Sequence, residues 1–564
     1  MASAILTLYP KAKLGIGPPI SGGFYYDFDL PEKIAESDLP KIEKIMKDLI
    51  KKKLSFERKE LSIAEAKNWA RKNNQPYKLE LIKGLEREGV KKVSFYKTGD
   101  FCDLCAGPHV SNTSKIEHFK LLSIAGAYWR GIETNPMLTR IYGTAWNTKD
   151  ELDEYLKQIE EAKKRDHRKL GRELDLFSFH KEAPGFVFWH PKGMLLREAL
   201  MNVYDELQKK AGYQFVSTPI LLSEDLWRKS GHWNHYKDKM YFTKVDNQTF
   251  AIKPMNCPGM SLIYKDRIHS YKELPLKLAE AGEVHRHELS GTLHGLFRVR
   301  AFRQDDAHIF AREDQIEEEI RDVINLTLRF YEIIGFKDVD IELSTRPEKS
   351  MGSDEIWERA ENTLRKVLDD MDLKFKINKG EGSFYGPKID FHIKDSLGRL
   401  WQCGTIQLDF FMPERFGLEY IDKDGSAKRP VMIHRTVIGS IQRFVGILIE
   451  HYGGAFPVWL SPVQAIIIPI AERHTKYAES LKEKLIDSGI RTECDVRSET
   501  MQSKIRDAQL QKIPYMLIIG DKEEKTNTLA IRTRERKEAK GWTIDRFISK
   551  IKENIVKKGL NLII

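Results

Sequence analysis

Between His285 and His308 the chain gathers four arginines (Arg286, Arg298, Arg300, Arg303), three carboxylates (Glu288, Asp305, Asp306) and four histidines (His285, His287, His294, His308). A purely structural hairpin rarely needs that density of charge. Arg286 and Glu288 stand two apart, which on a strand puts both on one face. A planar guanidinium that grips phosphate then sits beside a carboxylate that can organise a cation or an amine. The plain alternative is a solvated ion-pair ladder on an exposed sheet.

Other candidate groups are scattered. Cys257 falls in the proline-bounded turn Ile252 to Pro258 and, taken singly, is a small core hydrophobe. His308 follows two aspartates and His434 lies inside an apolar strand, so each alone reads as a hydrogen-bonded core histidine. Cys102 and Cys105 form a CxxC, but the chain has no second one. A zinc site of two such pairs is therefore excluded. Cys105 and His109 form a CxxxH whose Gly107-Pro108 disfavours a helix, leaving both side chains on a tight loop able to aim them at one point.

The elements that must position these groups follow from periodicity and turn residues. Lys277 to Phe310 reads as a strand, a glycine-containing loop and a return strand marked by the alternation from Phe297 to Phe302. Before it, Met1 to about Gly143 reads as a small α+β domain. It has a strand after the glycine- and proline-rich start of segment 14–30, a largely helical stretch from Leu39 to Ala70 and a strand from Lys91 to Phe101. Thr148 to Asp175 interleaves glutamates and lysines as an exposed connecting helix does. Met194 to Ala211 is an amphipathic helix and Phe215 to Pro219 a strand. The insert Gly335 to Leu397 holds a loop, a helix and three glycines (Gly380, Gly382, Gly386) that mark close backbone approach. From Val463 onward, apolar strands alternate with helices, as in a small α/β domain with a largely parallel sheet, and Thr528 to Thr533 is its edge strand.

The totals constrain the class. At 564 residues the chain is long enough for about three domains, each with its own core. A net charge of +10, from 93 basic and 83 acidic residues, permits a polyanionic partner without demanding one. Five cysteines argue against a disulfide framework and for a reducing compartment, and no apolar run is long enough to span a membrane. The opening residues lack the basic region of a signal peptide, so a cytoplasmic location is expected.

Arg286-His287-Glu288 with its loop and the Arg298-containing return resembles motif 2 of class II aminoacyl-tRNA synthetases. Gly439-Ser440-Ile441-Gln442-Arg443 resembles motif 3, and the helix and strand ending at Pro219 resemble motif 1. The phrases IKPMNCPG (252–259), LHGLFRVRAFRQDDAHIF (293–310), LSTRPEKSMGSDE (343–355), YGPKIDF (385–391), QCGTIQLDF (402–410) and VMIHRTVIGSIQRF (431–444) are similar to the threonyl-tRNA synthetases in particular. The fold this implies is multidomain, α/β and α+β: a class II antiparallel-sheet catalytic core (176–461), an N-terminal editing-like α+β domain (1–147), a linker helix (148–175) and a C-terminal α/β anticodon-binding domain (462–564).

The resemblance also implies roles. Cys257, His308 and His434 fall at the family's zinc positions, one thiolate and two imidazoles with a fourth position open for substrate. Arg286 would hold the α-phosphate of ATP and Arg443 the γ-phosphate, with Phe302 stacked on adenine. Arg298, Glu288, Gln402 and Gln407 would serve nucleotide and amine contacts, and oxygen ligands also suit magnesium travelling with ATP. Asp306 would face the threonine hydroxyl. Met255, Gln304, Tyr385 and His232 would close the pocket, His232 toward the tRNA end.

Partners implied are L-threonine, ATP, threonine tRNA and a second copy of the chain. In the editing-like domain Lys78, Asp103, Cys105 and His109 match the family, but no histidine precedes His109, where a histidine pair is called for. Editing of serine is therefore expected to be incomplete. Arg532 and Arg534 are the expected anticodon contacts. Two other readings compete: a catalytically silent RNA-binding relative, and a class II ligase for another amino acid such as proline or serine.

Overall fold

A computed structural model of the chain describes residues 1–20, 22–132, 134–395 and 398–564, so the insert's far end at Leu397 lies outside the described residues. The chain forms two compact units, Met1–Glu160 and Glu161–Ile564.

In the first unit an antiparallel sheet pairs Gly23–Asp29 with Met137–Trp146, and that strand with His118–Tyr128. A second antiparallel sheet joins Glu57–Ser62, Lys92–Thr98 and Phe101–Leu104. The single helical stretch expected from Leu39 to Ala70 is in fact a helix Leu39–Lys51, the strand Glu57–Ser62 and a helix Ile63–Lys72. The strand's charged residues are mostly exposed, so it carries none of the buried alternation that would reveal it. Ser62 begins the next helix by accepting the Glu65 N–H while Glu65 accepts the Ser62 N–H, a reciprocal cap.

The second unit is built on an eight-stranded sheet. Its order is Gln214–Phe215, Leu276–His285, Ala301–Ala311, Val431–Thr436, Leu400–Asp409, Lys388–Lys394, Val339–Ser344 and Phe375–Asn378. All interior pairs are antiparallel, and only the two edge strands run parallel to their neighbours. Pleating divides the central strand Ala301–Ala311 between two faces. Ala307, Ile309 and Ala311 join the core made with helices Pro191–Lys210, Ile316–Ile334, Asp354–Asp370 and Ile441–Tyr452. Phe302, Gln304, Asp306 and His308 point the other way and line a cavity.

Three expectations change here. Residues 297–300 belong to the loop, since the return strand begins at Ala301 opposite His285. Arg286 and Glu288 consequently lie just past the strand end. The Phe215 to Pro219 strand shrinks to Gln214–Phe215. The connecting helix also divides, Lys149–Arg165 being followed by a helix His167–Glu173 in which His167, Leu170 and Gly171 are buried rather than solvated.

The C-terminal part of this unit is a five-stranded mixed sheet in the order Thr492–Cys494, Ala465–Pro469, Tyr515–Ile519, Leu529–Thr533, Glu538–Trp542. The first two pairings are parallel and the last two antiparallel. Leu529–Thr533 is thus interior, and the edge is Glu538–Trp542, a polar strand with little apolar signal of its own.

Candidate active site

The cavity, about 640 Å³, lies against the sheet face opposite the helices. At one place in its wall Cys257, His308 and His434 converge, with ligand atoms within 4.8 Å of one another and all three residues buried. Cys257 opens the helix Cys257–Lys265, where unpaired N–H groups favour negative charge. His308 and His434 are directly paired across neighbouring antiparallel strands.

The surroundings of the three match a cation. Both ring nitrogens of His308 are buried without a hydrogen-bond partner among the described residues, an arrangement that is costly unless something else takes a lone pair. His434 Nε2 lies 2.9 Å from Asp409 Oδ2, which leaves Nδ1 as the free lone pair. Asp409 is itself fixed by the N–H groups of Phe411 and Met412. Burial pushes the Cys257 thiol well above its ordinary range, with Asp306 and Asp409 adding to the effect, and holds the His308 imidazole well below its own. A divalent ion reverses that logic for the thiol. One thiolate and two imidazoles form a donor set suited to zinc.

The opposite part of the cavity is cationic. Arg286 donates through Nε to the Pro254 carbonyl at 3.2 Å and lies over the Phe302 ring at 5.2 Å. Arg443 sits on the first turn of Ile441–Tyr452, whose N-cap Ser440 accepts the Arg443 N–H. Its Nε and Nη1 donate to the carbonyls of Phe297 and Gln402, each at 3.0 Å. Asp305 accepts the N–H groups of Val437, Ile438 and Gly439, fixing the turn that leads into this helix.

The sequence-derived residues Met255, Cys257, Arg286, Glu288, Arg298, Phe302, Gln304, Asp306, His308, Tyr385, Gln402, Gln407, His434 and Arg443 all line this one cavity. Tyr385 donates to Gln407 Oε1, and Gln407 Nε2 to Ser383 Oγ at 2.9 Å. Asn256 Nδ2 donates to Asp306 Oδ2 at 3.2 Å, while burial pushes the Asp306 carboxyl up to about 6. His232 differs from the rest. It is fully buried behind Met255, with Nε2 3.0 Å from the Met255 sulfur, and burial drives its imidazole down to about 3.

Sequence reasoning missed Lys388, Asp390 and Asp409. Lys388 lines the cavity and its Nζ lies 2.7 Å from Asp390 Oδ2, while Asp390 also accepts from Ser344, Gln402 and Thr405. The signal was present as a Lys-x-Asp alternation on one strand face.

The remaining candidates lie elsewhere. In the first unit Cys105 Sγ is 3.3 Å from His109 Nε2, and His109 stacks on Phe56. Lys78 and Asp103 make a buried ion pair at 2.9 Å, with Tyr26 Oη also donating to Asp103. In the C-terminal part Arg534 turns inward, donating to the carbonyls of Phe456 and Lys512, and Arg532 pairs with Glu538. Arg534 therefore reads as a structural clamp rather than a free anticodon contact.

A synthetase of class II is what an antiparallel sheet carrying this arginine-lined cavity defines. Residues 241–452 match the model for the tRNA synthetase class II core domain (G, H, P, S and T). Residues 464–554 match an anticodon binding domain, and 93–142 the threonyl and alanyl tRNA synthetase second additional domain. The threonine–tRNA ligase of Acetivibrio thermocellus is 58% identical over 558 residues, 99% of this chain and 87% of that protein. The Clostridium acetobutylicum threonine–tRNA ligase is 57% identical with the same coverage. Among solved structures, the RNA binding domain of threonyl-tRNA synthetase from Cryptosporidium parvum aligns with a TM-score of 0.67 at 42% identity, covering 69% of this chain and 98% of that one. A putative threonyl-tRNA synthetase from Aeropyrum pernix aligns with a TM-score of 0.62 at 29% identity, covering 70% and 96%. The chain belongs to the threonine–tRNA ligase family.

Proposed function

We propose that the chain activates L-threonine with ATP to threonyl-adenylate and transfers the threonyl group to the 3′ end of threonine tRNA. The observation that carries this reading is a thiol and two imidazoles sharing one cavity with Arg286 and Arg443. Cys257, His308 and His434 would hold zinc, which when bound supplies open coordination for an amine and a β-hydroxyl. Asp306, held by Asn256, accepts a hydrogen bond from that hydroxyl.

Activation is an in-line attack of a carboxylate on the α-phosphorus with pyrophosphate leaving, so the protein must align reactants and offset phosphate charge. Arg286 takes the α-phosphate and Arg443 the γ-phosphate, with Lys388 and Arg298 adding positive potential. Phe302 offers its ring to adenine, and the oxygens of Glu288, Gln402 and Gln407 serve magnesium or the amine. Gln304 and Tyr385 close the amino-acid end. His232, buried beside Met255, is the residue the resemblance assigns toward the tRNA end.

Shape alone discriminates poorly between threonine and valine, whereas a site that needs the hydroxyl rejects valine strongly. Serine keeps the hydroxyl and loses one methyl, worth about 1 to 3 kcal/mol, so it is the residual error. For residues 1–160 the reading is a serine-editing fold whose described hydrolytic set is one thiol and one imidazole. A homodimer through the sheet edge at Gln214–Phe215 is supported by the exposed Phe215, Ile220 and Leu221. Cytoplasmic action is supported by five unpaired cysteines, and no helix among the described residues is long and apolar enough to cross a membrane.

The test is pyrophosphate exchange with threonine, valine and serine, with metal analysis of the same preparation. Exchange with threonine, little with valine, some with serine and one zinc per chain is expected. Exchange with another amino acid alone overturns the specificity. No exchange despite bound zinc points to the silent RNA-binding reading.

A further inference from the structure

We propose that His167, outside the catalytic motifs and facing away from the cavity, is a positioning residue for the nucleotide end of the site. The helix that carries it was expected to be solvated, yet its side chain is fully buried and both ring nitrogens are committed. Nδ1 lies 2.8 Å from Glu450 Oε1, near the far end of the helix Ile441–Tyr452 whose first turn carries Arg443. Nε2 accepts the Leu296 N–H at 3.0 Å, in the loop between the two hairpin strands. An imidazole that accepts at Nε2 carries its proton on Nδ1, so the ring donates to Glu450 and ties loop to helix.

The tie bears on one residue. The His167 ring lies 4.2 Å from that of Phe297, and Phe297's carbonyl is the acceptor for Arg443 Nε. One glycine seats the Phe297 ring and a second lets the loop close on His167. A Cβ on Gly446 would stand 2.9 Å from its ring, so only glycine there lets the ring lie on the helix. A Cβ on Gly295, which has φ of +48°, would meet His167 Nε2 at 2.2 Å. The loop therefore closes only with His167 directly beneath it. Arg443 Nη2 has no hydrogen-bond partner among the described residues. Its aim is fixed by two carbonyls, one of which His167 places.

This rests on the reading of Arg443 as a phosphate ligand. Two variants separate the two bonds of the ring: His167→Gln keeps an acceptor near the Nε2 position, and His167→Asn keeps a donor near Nδ1 while releasing Leu296. In threonine-dependent pyrophosphate exchange, H167N is expected to raise KM for ATP about tenfold with KM for threonine within about twofold, and H167Q to stay within about threefold of the parent for both. Combined with Arg443→Ala, H167N should add little, since both act through one guanidinium.

Equal loss of ATP and threonine affinity in H167N, additive loss in the double variant, or an unchanged ATP response overturns the proposal. If H167N does not fold, Gly295→Ala attacks the same contact from the loop side and should show the same ATP-selective rise. An unselective effect there overturns it equally. If R443A alone leaves KM for ATP unchanged, it is the phosphate reading that fails.

Discussion

A cysteine thiol meets an imidazole in both units of this molecule, and the two meetings differ in everything around them. Cys105 and His109 share a loop, four residues apart, with Cys105 half-buried and His109 stacked on Phe56. Cys257, His308 and His434 come from a helix start and two adjacent strands, are all buried, and are backed by Asp409 behind one imidazole. The loop pair is at most half-buried and the two side chains face each other, so neither is left without a partner. In the buried cluster the orphaned nitrogens of His308 make the neutral, empty arrangement costly, and a rigid sheet prevents relaxation. Ligand type is the same in both places; burial without alternative partners is what makes the second compatible with a metal ion.

The contrast is broken most directly by removing one ligand on each side. Cys257→Ala should abolish zinc retention and lower threonine-dependent exchange by about a thousandfold or more, measured with metal analysis on the purified variant. Chelation of the parent should match it, with recovery on adding zinc. Next in size, Arg443→Ala should lower kcat/KM for ATP by about a hundredfold while zinc content stays at the parent level. Asp409→Asn keeps all three ligands and should weaken zinc binding about 10- to 100-fold by competitive chelation. Cys105→Ala should leave both zinc content and exchange within about twofold, because the two places share no partners. A zinc loss there would erase the distinction.

The smallest effect sharpens the fold rather than the site. Asp166 caps the helix His167–Glu173 by accepting the Arg168 N–H, so Asp166→Ala should cost about 1 kcal/mol in urea unfolding.

The sequence made the motif residues legible because their spacing is itself the signature: Arg286 with Glu288, the run from Gln304 to His308, and Ser440 with Arg443. What it hid was anything defined by a neighbour across the sheet. Lys388 and Asp390 matter through Ser344, Gln402 and Thr405, which come from other strands or segments. Asp409 is a carboxylate among apolar residues until His434 is placed beside it. The return strand was begun too early because Arg298 and Arg300 alternate as a strand would, while His167 and Gly185 satisfy the loop's Leu296 and Arg300 backbone groups instead. Arg534, exposed by any compositional argument, is instead half-buried and held on two carbonyls.

The eight-stranded sheet has a kinetic consequence as well. Cys257, His308 and His434 are far apart in the chain, and the strands bearing the two histidines pair only after the loops between them have closed. Contacts of such separation form late and slowly, because loop closure costs entropy before any pairing repays it. No short fragment of the core, and no collapsed intermediate lacking the central strands, assembles all three donors. Zinc uptake during refolding should therefore lag helix formation and coincide with completion of the sheet, making the ion a reporter of when the catalytic core is finished.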